Sequence, residues 1–409
     1  MPRVAVVTSH PIQYQAPWFR ALAQQVDLTV FFAWKQDAQG QSAAGFGHEF
    51  EWDLPLLDGY AHEWLINKAS RPSVDVFSGC DTPDIAERLE QGRFDACIVN
   101  GWYLKSYVQS IRASQRLRIP LLMRGDSHLE TPRHPLISAG KYLPYRWWLT
   151  RMNAHLYVGA ANRRYLRHYG VPEARLFFTP HFVENERFAQ SAAAARTNGA
   201  AAAVRRATHA GPQTTLFLFA GKLIDKKRPA DFVDALAQLK RTGARVAGAI
   251  VGSGPLGPAL EARARDAGVD LCFLGFRNQT EIPACYAAAD CLVLPSDGRE
   301  TWGLVVNEAM ACGLPAIVSD KVGCAEDLID GVHTGFTYPV GDVGALASSM
   351  SALAARLRDG RAAIHNAVHA RIARYSCDAA VAGTMDALAH VGSRDRSTVR
   401  VPAMKETCE

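Results

Sequence analysis

Several features that would assign a class of protein at once are missing from this sequence. The nine cysteines stand singly, with no C-x-x-C pair and no His/Cys spacing suited to zinc. This pattern argues against a disulfide framework and for reduced thiols in a cytosol. No apolar run approaches the about 18 residues that a membrane-spanning helix needs. The opening segment M-P-R-V-A-V-V-T-S-H is typical of a buried strand and lacks the longer apolar core of a signal peptide. We therefore expect a cytoplasmic protein, soluble or peripheral on the inner face of a membrane.

Charged residues are also scarce, at 21% of 409 residues against 48% hydrophobic ones. This balance predicts a globular protein with a sizeable core, and the length exceeds one typical domain. The formal net charge of +5 is unevenly spread, because residues 105–175 hold thirteen Lys or Arg and three acids. Such a basic region could attract nucleic acid, an anionic membrane or a phosphorylated small molecule, or could simply be a solvated surface.

Two series of alternating strands and helices are predicted along the chain. Short apolar segments rich in β-branched residues alternate with helical stretches, which indicates parallel sheets covered on both faces. The first series has strands at 3–8, 26–32, 96–100, 120–124, 154–158 and 176–180, and the second has strands at 215–221, 247–252, 271–275, 291–295 and 315–320.

A domain boundary is predicted between the two series. Residues 189–213 are rich in Ala and small polar residues, lack apolar periodicity and end in Gly-Pro. The sequence therefore predicts an α/β protein of two doubly wound domains. We expect a first domain at 1–188, a linker at 189–213, a second domain at 214–391 and a disordered tail at 392–409.

Ligands of parallel α/β domains bind beyond the carboxyl ends of the strands, and the first such loop of the second series is rich in cations. The loop G-K-L-I-D-K-K-R-P (221–229) places Lys222 directly after Gly221 and adds Lys226, Lys227 and Arg228. Cations on both sides of a tight turn suit a diphosphate. The alternative is a solvated loop before a helix that starts with proline.

The next loop, V-G-S-G-P-L-G (251–257), contains a formal G-x-G-x-x-G at Gly252, Gly254 and Gly257. A dinucleotide fold would place an acid after the next strand to bind the ribose, but Arg277 stands there, and the match follows the second strand of its domain. An NAD(P)-dependent oxidoreductase is thus the alternative enzyme. The following loop, G-F-R-N-Q-T-E-I-P-A-C-Y (275–286), is a candidate to hold a nucleobase.

The segment S-D-G-R-E-T-W-G-L-V-V-N-E-A-M-A-C-G-L-P (296–315) leads from a strand into a helix predicted from about Gly303 to Cys312. The first N–H groups of such a helix favour phosphate. Glu300 precedes the helix and Glu308 lies within it. One carboxylate could accept hydrogen bonds from hydroxyls on one side of a bound diphosphate, and the other from hydroxyls on the opposite side. The alternatives are an acid favoured by the helix dipole and an ordinary exposed helical residue.

Taken together, four segments resemble glycosyltransferase family 4, whose GT-B fold implies two Rossmann-like domains that face each other across a cleft. They are the E-x7-E of Glu300 and Glu308, the A-M-A-C-G-L-P that follows, the lysine loop and G-S-G-P. The resemblance is specific across 215–345 and weaker at 165–188. It implies a nucleotide-sugar donor bound mainly to the second domain, an acceptor bound mainly to the first, and transfer with retention at the anomeric carbon.

The resemblance also implies roles for individual residues. Lys222 and Lys227 would neutralise the donor diphosphate, Glu308 would hold the ribose, and Glu300 would hold hydroxyls of the donor sugar. No D-x-D metal motif occurs in the sequence, so we expect no metal and no cofactor besides the donor as co-substrate. The remaining residues of the predicted donor site are Gly221, Gly252, Ser253, Gly254, Phe276, Arg277, Thr301, Trp302, Gly303 and Leu304.

Two segments depart from the family pattern. The first strand is followed by T-S-H-P-I-Q-Y-Q-A-P, where many members have a glycine-rich loop, and His10, Gln13 and Tyr14 are candidates to contact donor or acceptor. The strand P-L-L-M-R is followed by G-D-S-H, where many members place a histidine near the donor sugar. Asp126 and His128 are therefore candidates for the reacting groups, with a capping role for Asp126 as the alternative.

The sequence therefore predicts retaining transfer of a sugar from a nucleotide-diphosphate sugar, UDP favoured, to a glycan or lipid-linked acceptor in surface polysaccharide biosynthesis. A scaffold that binds a sugar nucleotide without turnover is the alternative that is not an enzyme. The stretch K-Y-L-P-Y-R-W-W-L-T-R (141–151) could rest on an anionic membrane or form buried aromatic core. No nucleic-acid partner is expected, because the basic region lacks a recognised module.

Overall fold

The computed structural model of the chain describes residues 1–35 and 50–398, the last five of them by backbone only. Its first sheet has seven parallel strands in the order β3-β2-β1-β4-β5-β6-β7. The strands are β1 (Arg3–Thr8), β2 (Asp27–Phe32), β3 (Ala61–Trp64), β4 (Ala96–Asn100), β5 (Leu121–Gly125), β6 (Ala154–Tyr157) and β7 (Leu176–Phe178).

Helices cover both faces of this sheet, and the first strand shows why its sequence is continuously apolar. Val4 and Val6 pack into one buried cluster while Ala5 and Val7 pack into another. Side chains alternate across a strand, so a sheet with two covered faces needs apolar residues at every position. The helices are α1 (Ala16–Ala23), α2 (Ile85–Gly92), α3 (Lys105–Leu117), α4 (Pro135–Leu149) and α5 (Ala160–His168).

The second sheet has six parallel strands in the order β10-β9-β8-β11-β12-β13. They are β8 (Thr215–Ala220), β9 (Val246–Val251), β10 (Leu271–Gly275), β11 (Cys291–Leu294), β12 (Ala316–Ser319) and β13 (Gly335–Tyr338). Helices α8 (Pro229–Arg241), α9 (Gly257–Asp266), α10 (Ile282–Ala288), α11 (Leu304–Ala311), α12 (Ala325–Leu328) and α13 (Val343–Ile372) belong to the same half of the chain. The predicted pair of doubly wound α/β domains is thus confirmed.

The segment expected to be a linker is largely helical. Helices α6 (Asn185–Thr197) and α7 (Ala200–Ala207) both pack against α10. Phe188, Ala192 and Ala195 are buried at helical spacing. Two of these three residues are alanine, and alanine also stands at the exposed positions 193 and 194, so the sequence does not show the helical periodicity.

The last helix, α14 (Cys377–Thr398), returns to the first sheet and packs against α1, β6 and β7. Ala380, Val381 and Leu388 belong to a core cluster of the first domain. The range expected to be second domain therefore ends in a helix of the first. Residues 392–398, expected to be disordered, are helical, and 399–409 lie outside the described residues.

The two domains touch along the cleft through charged and polar groups. Lys321 Nζ lies 2.8 Å from Glu130 Oε2, and Asn278 Nδ2 donates to the backbone oxygen of Glu51 at 2.7 Å. Arg164 and Glu326 form a further ion pair. Within 1–35 and 50–398, no helix combines the length and apolarity required to cross a bilayer.

Candidate active site

Glycines let two loops of the second domain pack closely against each other. A Cβ on Gly252 would lie 2.0 Å from the backbone oxygen of Gly221, and one on Gly254 would lie 2.6 Å from that of Leu223. The N–H of Gly252 donates to Gly275 O at 2.9 Å, and the N–H of Leu223 donates to Ser253 O at 2.9 Å. These glycines therefore serve loop packing, which differs from a dinucleotide loop whose backbone N–H groups approach the pyrophosphate.

This packing shapes one wall of a cavity of about 470 Å³ between the domains. Burial and the charges of Lys226 and Lys227 lower the pKa of Lys222, although Asp75 and Glu300 oppose the shift. A polyanionic ligand would reduce the electrostatic repulsion among these three ammonium groups. The polar lining from the second domain is Lys222, Lys226, Lys227, Arg277, Gln279 and Glu308, and that from the first is Gln13, Tyr14 and Asp75.

Glu300 is 9% exposed and forms an ion pair with Lys227, which is equally buried. The Ser296 hydroxyl donates to Glu300 Oε2 at 3.3 Å. Burial opposes ionisation, but the charges of Lys227 and Lys226 and these hydrogen bonds prevail and lower the pKa of Glu300. Glu300 is thus an ionised group that fixes a lysine at the edge of the cavity.

Glu308 is 1% exposed, so the alternative of an ordinary exposed helical residue is wrong. Its carboxylate accepts three hydrogen bonds, from Tyr286 OH at 2.6 Å, Tyr14 OH at 3.1 Å and Gln279 Nε2 at 3.3 Å. Burial outweighs these bonds and raises the pKa of Glu308. Because Tyr14 belongs to the first domain, Glu308 connects the two walls of the cavity.

Helix α11 starts within one residue of the predicted position. It begins at Leu304 after Gly303, whose φ of +97° favours glycine, and Gly313 follows its end with φ +87°. Trp302 is 3% exposed, and its indole N–H donates to Asn307 Oδ1 at 2.8 Å. Its ring lies 5.5 Å from that of His181. Trp302 therefore packs at the interface between the domains and does not line the cavity.

A smaller cavity of about 200 Å³ lies beside the first, lined by Arg124, Asp126, His181, Tyr14 and Leu304 among others. Asp126 Oδ2 accepts from the Thr301 hydroxyl at 2.7 Å and lies 3.6 Å from His181 Nε2. Burial would raise the pKa of Asp126, but His181, Thr301 and Arg124 outweigh it and lower the pKa to about 2.

Arg124 is a buried cation beside this smaller cavity. It is 7% exposed and lies 5.1 Å from the Trp18 ring. Burial lowers its pKa to about 10. Its Nη2 lies 3.5 Å from His181 Nδ1. Arg124, His181, Asp126 and Thr301 therefore form a polar chain across the cleft.

His128 is a predicted candidate for the reacting groups, and His10 is a predicted candidate to contact donor or acceptor. His128 is 1% exposed, its Nδ1 accepts from the Glu130 N–H at 3.2 Å, and burial lowers its pKa. His10 lies 3.0 Å from the Ser9 hydroxyl, and burial lowers its pKa to about 4. Neither lines the two cavities.

The structure brings most of the predicted residues together. Gly221, Lys222, Lys227, Gly252, Phe276, Arg277 and Glu308 line the larger cavity, and Asp126 and Leu304 line the smaller one. Glu300 and Thr301 contact lining residues: Glu300 forms an ion pair with Lys227, and the Thr301 hydroxyl donates to Asp126. Ser253, Gly254, Trp302, Gly303 and His128 line neither cavity.

Sequence reasoning missed the residues that hold the glutamate and the aspartate. Gln279 and Tyr286 lie within the segment 275–286, where they could have been found as hydrogen-bond donors beside a helix. His181 lies in T-P-H-F (179–182), within the range 165–188 where the family resemblance is weaker. Trp52 and Asp75 line the larger cavity from irregular backbone and carry no sequence signal. No group of three or more His, Cys, Asp or Glu able to hold a metal ion occurs among the described residues.

Part of the chain is similar to a known family of proteins. Residues 202–366 match the family model described as glycosyl transferases group 1. The chain is 34% identical over 163 residues to D-inositol 3-phosphate glycosyltransferase of Mycobacterium sp. (strain KMS), covering 39% of this chain and 37% of the relative.

A second relative and a solved structure are also similar to this chain. A GDP-mannose-dependent alpha-(1-6)-phosphatidylinositol monomannoside mannosyltransferase of Mycolicibacterium smegmatis is 31% identical over 192 residues, 45% of this chain and 48% of the relative. The chain thus spans less than half the length of these two curated relatives. Anabaena HepE in complex with UDP superposes with a TM-score of 0.71 at 17% identity, covering 95% of this chain and 100% of that one. The chain has the GT-B fold, and its residues 202–366 match glycosyl transferases group 1.

Proposed function

We propose that this protein is a retaining glycosyltransferase of family 4 that transfers a sugar from a nucleotide-diphosphate sugar. One observation carries the proposal: three lysines and the buried Glu308 line a single cavity between the domains. Cations suit a diphosphate, and a buried carboxylate beside them suits ribose hydroxyls. We place the base against Phe276 and Arg277, the diphosphate on Lys222 and Lys227, and the ribose on Glu308.

The donor sugar would then lie towards Glu300, Thr301 and the smaller cavity. In the transition state, charge develops on the departing nucleotide diphosphate and on the anomeric centre. Lysines fixed before the donor binds can stabilise this charge without reorganising, which is how preorganised sites lower barriers. The ion pair with Glu300 holds Lys227 in position in this way. We propose that these cations and the N-terminus of α11 take the place of a divalent metal.

We favour UDP as the nucleotide, with hexosyl transfer, because HepE, which shares the fold, was crystallised with UDP. The Mycolicibacterium relative is named as GDP-mannose-dependent, so GDP sugars are the first competitors. A thermal-shift screen of UDP-, GDP- and ADP-sugars against NAD(H) and NADP(H), followed by measurement of released nucleotide in EDTA, tests the proposal. We expect one sugar nucleotide to raise the melting temperature of the protein and to be cleaved with release of its nucleotide. Stabilisation by a dinucleotide alone would contradict the proposal.

We also propose that the enzyme works at a membrane surface on a glycan or lipid-linked acceptor in polysaccharide biosynthesis. Helix α4 exposes apolar side chains, with Leu136 76%, Leu143 72% and Trp147 55% exposed. No acid occurs from 131 to 151, whereas Arg133, Lys141, Arg146 and Arg151 do. An exposed apolar face in a segment that has cations and no acids suits an anionic bilayer surface.

Sedimentation with vesicles at low salt tests this surface. The protein should pellet with vesicles that contain anionic lipid, and a Leu136→Ser/Leu143→Ser variant should pellet at least about threefold less, because it loses buried apolar area. Val332→Ser is the control, since Val332 is 48% exposed in the second domain. A protein that stays in the supernatant with anionic vesicles would refute the peripheral assignment.

A further inference from the structure

A groove of about 700 Å³ runs along the first domain and is separate from the two cavities in the cleft. Helices α3 and α4 and the loop after β4 form its walls. Its sides are largely aromatic, with Trp102, Tyr145, Trp148 and Tyr165 among the lining residues. The rings of Trp102 and Tyr165 stack at 6.1 Å with an interplanar angle of 16°. This surface suits a flexible apolar chain.

Three cations also line the groove: Arg112, Arg133 and Lys141. None of the three forms an ion pair with an acid within the described ranges, although Lys105 and Arg163 of the same domain both do. Lys141 Nζ lies 5.7 Å from the centre of the Tyr145 ring. Cations without acidic partners beside apolar walls are complementary to a ligand that is apolar along its length and anionic at one end.

The inner part of the groove lies next to the candidate active site. Ser127 lines the groove, whereas its neighbour Asp126 lines the smaller cavity of the cleft. A Cβ on Gly125 would lie 2.6 Å from Cζ3 of Trp102, so the glycine lets this ring sit at the end of β5. A ligand that fills the groove would therefore end within reach of the residues that face the donor sugar.

We propose that the groove binds the acceptor as a lipid phosphate, with the phosphate on Arg112, Arg133 and Lys141 and the hydrocarbon chain between the aromatic rings. This inference rests on the proposed glycosyl transfer for its biological meaning, but the binding itself needs no donor. A phosphate in the groove could belong to a single lipid, to free phosphate or to the headgroups of a bilayer. The experiment separates these sources.

Tryptophan fluorescence reports on the groove directly, because Trp102, Trp147 and Trp148 line it. The full chain is titrated with farnesyl phosphate below its micelle concentration, with farnesol, with inorganic phosphate and with anionic vesicles. Farnesyl phosphate should bind at least about tenfold more tightly than farnesol, and inorganic phosphate should give no saturable change. An Arg112→Gln/Arg133→Gln variant should lose most of this difference.

Arg116→Gln is the matched control, since Arg116 is exposed on the same helix and does not line the groove. It should bind farnesyl phosphate as the unmodified chain does. Equal affinity for farnesol and farnesyl phosphate, equal loss in the control, or a response to vesicles alone would overturn the proposal. Stabilisation by sugar nucleotides is scored separately, so failure of the groove and failure of the donor site can be told apart.

Discussion

At the scale of single residues, the site depends on carboxylates whose surroundings shift their pKa values in opposite directions. Cations lower the pKa of Glu300, while burial raises that of Glu308. The two glutamates stand eight residues apart in the sequence. In the structure Glu308 lines the larger cavity, whereas Glu300 forms an ion pair with Lys227, which lines the same cavity. The sequence could not show that Tyr14 donates to Glu308 or Thr301 to Asp126, because these partners are distant in the chain and belong to different domains.

Glu308→Gln should weaken nucleotide binding and leave the fold intact. The amide keeps the shape and can still accept from Tyr286, but it loses the charge that strengthens hydrogen bonds from ribose hydroxyls. We expect about tenfold lower affinity for the preferred nucleotide, roughly 1.4 kcal/mol. Calorimetric titration measures it, with Glu261→Gln, an exposed change on α9, as the control. Affinity equal to that of the unmodified chain would exclude Glu308 from the nucleotide site.

The lowered pKa of Asp126 predicts that the stability of the fold depends on pH. Its folded-state pKa of about 2 lies below the ordinary value of 3.8, so the stability it contributes is present above about pH 4 and lost as the pH falls to about 2. In Asp126→Asn the urea midpoint should fall less steeply across this window. Identical slopes for the two proteins would show that Asp126 is not selectively stabilised in its ionised form.

At the scale of elements, the strands at the centre of the second sheet were predicted closely. The predicted β8, β9 and β11 lie within one residue of the observed bounds, because strands buried on both faces give continuous apolar runs. The edge strand β3 was missed, since its sequence A-H-E-W is only half buried. Helices α6 and α7 were missed because alanine fills both their buried and their exposed faces.

The loops after β8 and β9 give a prediction at this scale. Gly252→Ala should destabilise the fold by about 2–3 kcal/mol, because φ is +133° and the new Cβ would meet the backbone oxygen of Gly221. Gly243→Ala is the control, with φ +77° and no atom within 4 Å of the Cβ, and should cost about 1 kcal/mol. Urea unfolding measures both values. Equal losses would mean that close packing of the two loops contributes nothing.

At the scale of the whole molecule, the chain joins its two domains by hydrogen bonds across the candidate site. Tyr14 donates to Glu308, and the N–H of Ala160 lies 3.0 Å from both carboxylate oxygens of Asp327. Helix α14 ties the end of the chain to the first sheet. Two α/β domains were predictable from the rhythm of apolar segments. The packing of α14 on the first sheet was not predictable, because helical periodicity does not say which sheet a helix covers.

The most direct test of the proposed transfer compares the unmodified chain with Glu300→Gln, using the sugar nucleotide that stabilises the chain most. The amide can no longer balance the charge of Lys227 at the edge of the cavity. Nucleotide affinity should stay within about threefold, whereas release of nucleotide from the donor should fall at least about 100-fold, roughly 2.7 kcal/mol of transition-state stabilisation. Release at the rate of the unmodified chain would contradict the assignment of this cavity as the site of transfer.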